Sequence, residues 1–141
     1  MPEKELIYKD LAYKVVGCFY EVFNNLGPAH KEQIYHKALA IEFKLKDLPF
    51  VDNKRIKLKY KDLEIGVYEP DFVIDEKIVV EIKSALNMPS VFEKQLYYYL
   101  RGTKYKLGYL VNFGSDKLDI RRRVYDTARR TGLLKWLIRD Y

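Results

Sequence analysis

The chain has 141 residues, 48% of them apolar, and a formal charge of +6. That length suits one domain with a real core, and the mild basic excess permits a polyanionic partner without requiring one. Cys18 is the only cysteine, which excludes an intramolecular disulfide, and two histidines, His30 and His36, cannot complete a zinc site with it.

No apolar stretch approaches the roughly 20 residues of a membrane span. The opening Met1-Pro-Glu-Lys-Glu5 is not a signal peptide. The expectation is a soluble, cytoplasmic protein forming a single domain over 1–141, with a core over about 10–124 and a helical segment over 125–141.

In chain order, Ile7, Leu11, Val15, Cys18, Val22 and Leu26 recur mostly at three or four residues. This predicts a helix over 5–26, stopped by Gly27-Pro28. Cys18 lies on its apolar face and reads as a buried small hydrophobe rather than a reactive thiol. A second helix is expected over 31–46, with a core stripe of Ile34, Ala38, Ile41 and Leu45. Glu32, Tyr35 and His36 fall at spacings of three and four near its start and can share a face. Taken alone, Glu32 reads as an acid complementing the helix dipole and His36 as a surface residue.

Val51–Tyr60 reads as one half-exposed strand whose outer face carries Arg55, Lys57 and Lys59. A solvated edge explains that face better than a nucleic-acid stripe. Lys61-Asp62 is a turn, and Leu63–Tyr68 a further strand. Ser90 with Glu93 has capping-box spacing, opening a helix that Gly102 closes. Leu107–Val111 and Leu118–Val124 read as strands, the second containing Arg121-Arg-Arg123. The last residues, around Leu133, Leu134, Trp136, Leu137 and Ile138, read as a terminal helix.

The informative stretch is Glu69-Pro-Asp-Phe-Val-Ile-Asp-Glu-Lys-Ile-Val-Val-Glu-Ile-Lys83. Two apolar runs separated by Asp75-Glu76-Lys77 make a hairpin. With a three-residue loop, Ile74 faces Ile78, Val73 faces Val79 and Asp71 faces Glu81. Alternation then puts Asp71, Val73, Val79, Glu81 and Lys83 on one face. Two carboxylates about 5 Å apart repel by roughly 3 kcal/mol at an effective dielectric near 20, and a divalent cation between them would reverse the sign. The Ile82 carbonyl is an available third oxygen ligand. Such a site lowers the pKa of a bound water and stabilises charge on a phosphate, with Lys83 orienting the water or offsetting charge. Phosphodiester hydrolysis is the reaction this equipment suits best, with ordinary strand-end charges the competing explanation. The fold class expected from the element order is α/β, a central mixed sheet flanked by helices.

Pro70-Asp71 with Glu81-Ile82-Lys83 resembles the signature of the PD-(D/E)xK nuclease superfamily, and Gln95-Leu-Tyr-Tyr-Tyr99 resembles the Gln-x-x-x-Tyr element of its RecB-like members. More closely, Ala29-His-Lys-Glu32-Gln-Ile-Tyr35, Lys37–Glu42, Val79–Lys83 and Leu110-Val-Asn-Phe-Gly114 followed by Arg121-Arg122 resemble the GxxExxY branch, over about residues 10–124. The motif's glycine is Ala29 here. The resemblance implies a restriction-endonuclease-like α/β/α core using magnesium, with manganese a substitute. It implies Asp71, Glu81, the Ile82 carbonyl and Glu32 as metal ligands and Lys83 as the group that positions water or stabilises the transition state. Gln95, Tyr99 and Tyr35 would support the site or contact substrate.

Two functions compete. One is a metal-dependent nuclease acting on nucleic acid, DNA rather than RNA, with a homodimer as a further partner state. The other is a nucleic-acid-binding or regulatory module on a nuclease fold, which the basic chain, its thirteen tyrosines and the arginine run suit equally. A small-molecule phosphohydrolase ranks last, because no glycine-rich phosphate loop is present.

Overall fold

The protein is described from a computed structural model over residues 7–126. Its elements are α1 (Lys9–Leu26), α2 (Glu32–Leu45), β1 (Phe50–Asp52), β2 (Ile56–Tyr60), β3 (Leu63–Tyr68), β4 (Phe72–Ile74), β5 (Ile78–Lys83), α3 (Ser90–Arg101), β6 (Leu107–Asn112) and β7 (Asp119–Val124). Five strands form a mixed sheet in the order β1-β4-β5-β6-β7, and β2-β3 form a separate ribbon. Only β5 and β6 run parallel; α3 is the crossover between them. The sheet with helices on both faces is the α/β/α architecture expected of a restriction-endonuclease-like core.

The central hairpin has the register its sequence demands: Ile74 opposite Ile78, Val73 opposite Val79, Phe72 opposite Val80. Asp75 and Glu76 both take left-handed backbone, and the Lys77 N–H donates to the Ile74 carbonyl at 2.9 Å. The two faces of β4 and β5 therefore feed different cores. Phe72, Ile74, Ile78, Val80 and Ile82 pack with α1 and α2. Val73 and Val79 pack with Leu96, Tyr97 and Leu100 of α3. Gly108 of β6 is where α3 lies closest, since a Cβ there would sit 2.8 Å from Leu96 Cδ1.

Four expectations need correction. The strand expected over Val51–Tyr60 is two strands: Asn53 turns left-handed at φ 52°, β1 joins β4, and β2 departs to pair with β3. The buried stripe of α2 is Tyr35, Leu39 and Phe43, one residue round from the expected one, leaving Ile34, Ile41 and Leu45 exposed. The cause is the sheet beneath: Phe43 meets Phe72 and Phe50 edge-on, and Tyr35 stacks on Phe113. His36, expected on the surface, stacks on Phe72 at 4.2 Å. Ser90 makes no capping bond; Pro89 holds the N-cap position, and Glu93 turns to Arg121 and Arg123.

Cys18 is fully buried in α1, and burial pushes its thiol up to about 11, as an inert packing residue requires. The expected terminal helix lies outside the described residues from 127 onward. Among the described residues no helix is long and apolar enough to cross a membrane.

Candidate active site

Three chain segments meet where β5 and β6 end. The Phe113 N–H donates to the Lys83 carbonyl at 2.9 Å, extending the parallel ladder past Asn112. Asn112 then substitutes for a strand. Its Oδ1 accepts the Ala85 and Gly114 N–H groups, both at 3.0 Å, and its Nδ2 donates to the Ala85 carbonyl at 2.9 Å. Gly114 permits this approach, since a Cβ there would lie 2.1 Å from the Ala85 nitrogen.

The α1–α2 loop is tied to the same corner. The Ala29 N–H donates to the Phe113 carbonyl at 3.0 Å, and the Ser84 hydroxyl donates to the His30 carbonyl. Tyr35 is fully buried: its hydroxyl donates to the Gly27 carbonyl at 2.6 Å and accepts the His30 N–H at 3.1 Å. Ala29 itself sits at φ 69°, the left-handed backbone that glycine adopts without strain. The loop brings the N-terminus of α2 to the carboxyl end of β5. In α/β sheets that end is where ligands bind.

Asp71 lies one residue beyond the β4–β5 ladder, opposite Glu81. The Ile82 N–H donates to Asp71 Oδ2 at 2.8 Å, so even-numbered residues of β5 turn their backbone groups toward β4. Asp71 and Glu81 are then a pair without mutual backbone bonds, the arrangement in which cross-strand side chains are closest. The position opposite Ile82 is Pro70, which has no N–H to give. The Ile82 carbonyl thus lacks a ladder partner on the side where Asp71 lies.

Glu81 feels this directly. Burial and then the Asp71 charge push its carboxyl up from 4.5 to about 7, with Lys83 opposing the rise and Glu32 adding slightly to it. Glu32, the exposed first residue of α2, is thereby within electrostatic range. Lys83 extends over the Phe92 ring at 4.5 Å. Tyr99 stacks on Tyr68 at 3.9 Å, and the buried Tyr68 hydroxyl, with no partner at ordinary hydrogen-bond distance, has Glu81 as its foremost charged neighbour. Gln95 is exposed on α3, one turn before Tyr99. Thus Glu81 has Asp71, Lys83 and Glu32 as charged neighbours, Tyr99 stands behind Tyr68, and Tyr35 is buried in the adjoining α1–α2 corner.

The alignment with family models decides the class: the model of the PD-(D/E)XK nuclease superfamily matches residues 9–124. The chain belongs to the PD-(D/E)XK nuclease superfamily. Comparisons with curated proteins and with solved structures find no match. Superfamily membership makes a hydrolytic nuclease, a nucleic-acid substrate and use of a divalent metal the ground on which these side chains are read.

Sequence reasoning passed over two neighbours of the site. His36 bridges Asp71 and Asp52, with Nδ1 at 3.1 Å from Asp71 Oδ1 and Nε2 at 3.3 Å from Asp52 Oδ2. Its spacing of four from Glu32 was the available signal. Tyr68 gave none, because it reaches Glu81 from a ribbon outside the main sheet. The arginine run also resolves. Arg121 and Arg123 both pair with Glu93, Arg121 further holds Asp119 at 2.8 Å, and Arg122 is on the opposite face beside Tyr109.

Proposed function

We propose that this superfamily member is a GxxExxY-type nuclease that hydrolyses phosphodiester bonds of DNA with magnesium, manganese substituting. The observation that carries the reading is Glu81: a carboxyl held beside Asp71 in a partly desolvated place, its acidity moved to about 7, with Lys83 two residues on. Perturbed carboxyls of this kind concentrate at functional sites.

The donor set fits a hard cation. Asp71, Glu81, Glu32 and the Ile82 carbonyl are all oxygen donors, as magnesium prefers. A bound divalent cation supplies Lewis-acid activation of water and charge stabilisation at the phosphate. The chain's own part follows from placement. Glu81 would hold the cation as its carboxylate. Lys83 carries an ammonium that sits over the Phe92 ring at 4.5 Å and would turn from it to the phosphate or the attacking water. Tyr99, stacked on Tyr68, and Gln95 one turn earlier border the groove as substrate supports.

A second reading, a nucleic-acid-binding module with little catalysis, has one observation in its favour. Both Asp71 oxygens are engaged, one by His36 and one by the Ile82 N–H. Among the described residues no three acidic, histidine or cysteine side chains form a cluster able to hold a metal. Loading would require Asp71 to exchange its contact with His36.

The test is cleavage of single-stranded, double-stranded and branched DNA, and of RNA, with magnesium or manganese, by the wild type, Asp71→Ala and Lys83→Ala. Metal-dependent cleavage lost in both variants is expected. Salt-sensitive binding with no turnover under any metal supports the second reading, and undiminished cleavage by Lys83→Ala removes that residue from the mechanism.

A further inference from the structure

Next to the site stands a feature that a solvated edge does not explain. The β2–β3 ribbon is anchored only by its inner face, where Ile56, Leu58 and Tyr68 pack on the α3 core. Its far end is not covered: Tyr60 is 59% exposed, Leu63 72% and Ile65 68%. Ile65 is also the extra residue of a bulge, since Leu58 faces Gly66 while Lys59 faces Glu64. Tyr60 faces Leu63 in the ribbon register, so these exposed apolar side chains lie together, as at an interaction surface.

The charge pattern says what kind. From Lys54 to Lys61, five of eight residues are basic and none is acidic. Lys57 pairs with Glu64 and Arg55 with Glu69, whereas Lys59 and Lys61 make no ion pair among the described residues. Unpaired lysines alternating with apolar groups match a phosphate backbone with sugars and bases beside it.

We propose that the β2–β3 ribbon is a DNA-binding arm that enters the major groove of a duplex lying across the Asp71–Glu81 face, an inference that rests on the nuclease reading. Tyr68 links the two places, since it ends β3 and stacks on Tyr99 beside Glu81. Five residues of β2 span roughly 17 Å, about half of the roughly 34 Å helical repeat of DNA. A phosphate at Glu81 therefore leaves the adjoining groove within reach of Lys59, Lys61 and Leu63. A two-stranded ribbon fits the wide major groove of B-form DNA and not the deep, narrow one of A-form RNA.

The experiment is fluorescence anisotropy with short labelled DNA and RNA duplexes, in EDTA, over a salt series. It compares the wild type with Lys59→Gln/Lys61→Gln, with Leu63→Ser/Ile65→Ser, and with Lys44→Gln/Lys46→Gln as a charge-matched control on α2. The ribbon lysine variant should bind DNA about tenfold more weakly, with its log–log salt slope reduced by roughly 2. The apolar variant should also weaken and the control should follow the wild type. Wild-type affinity in both ribbon variants, equal affinity of the wild type for RNA and DNA duplexes, or dissociation of a wild-type dimer by Leu63→Ser/Ile65→Ser with DNA affinity retained, overturns the arm and leaves the nuclease reading standing. A wild type that neither binds nor cleaves any nucleic acid overturns both.

Discussion

Glu81 makes the protein less stable at the pH where it would work. Its carboxyl moves from 4.5 to about 7 on folding, because burial and Asp71 penalise the anion. Below pH 4.5 both states hold the proton and the penalty is absent. Between pH 4.5 and about 7 the unfolded chain has given up a proton that the folded state still holds, so stability falls across that window and levels off above it. At about 1.4 kcal/mol per tenfold change in acidity, the penalty approaches ~3 kcal/mol at pH 8 and is under about 1 kcal/mol at pH 5.

Glu81→Gln keeps the shape and removes the charge. In EDTA it should raise the melting temperature by only about 3 °C at pH 5 and by roughly 10 °C at pH 8. Thermal unfolding of both proteins at pH 5, 6, 7 and 8 reads this directly. Carboxyls without a link to Glu81 cancel in the difference; Glu76, lowered by Lys104 and Lys54, acts equally in both proteins. A difference that stays flat across the series, or a wild type that is the more stable at pH 8, would refute the account of Glu81.

Two further outcomes follow from the corner that frames the site. Ala29→Gly relieves left-handed backbone costing roughly 1–2 kcal/mol against about 0.4–1 kcal/mol of added unfolded-state freedom. A net gain of roughly 0.5–1 kcal/mol is expected in urea unfolding, and a loss would mean that Ala29 is not strained. Asn112→Asp replaces a donor by an acceptor facing the Ala85 carbonyl, in a side chain only 2% exposed. It should cost about 2–3 kcal/mol, and unfolding at wild-type denaturant concentrations would show that the amide clamp is dispensable.

The hairpin was readable because its signal is redundant. Period-two burial, an odd loop and two β-branched runs permit one register, and a slip by one residue would expose every core side chain. The face of α2 was not readable for the opposite reason. Ile34, Ala38, Ile41 and Leu45 make an apolar stripe as regular as Tyr35, Leu39 and Phe43, and the choice between them is made by the aromatic partners Phe72, Phe50 and Phe113 on the sheet. The same distance from local sequence hides Tyr68 and His36, which reach Glu81 and Asp71 across elements. It also hides the fate of Glu93, whose capping-box spacing is outweighed by two guanidinium groups on β7.

Pro70 shows how a residue with no reactive group can shape this site. Without it, the ladder of β4 and β5 would run one step further, and a backbone N–H would face the Ile82 carbonyl. Proline withholds that donor, and Asp71 takes the Ile82 N–H with its side chain instead, at 2.8 Å. The ladder ends at Phe72 opposite Val80, and the first pair past its end is the two carboxylates. The strand terminates with the Ile82 backbone oxygen beside Asp71 and Glu81, and with Lys83 beyond. Without that termination the Ile82 carbonyl would be spent on a ladder bond, and the proposed cation would lose one of its oxygen donors.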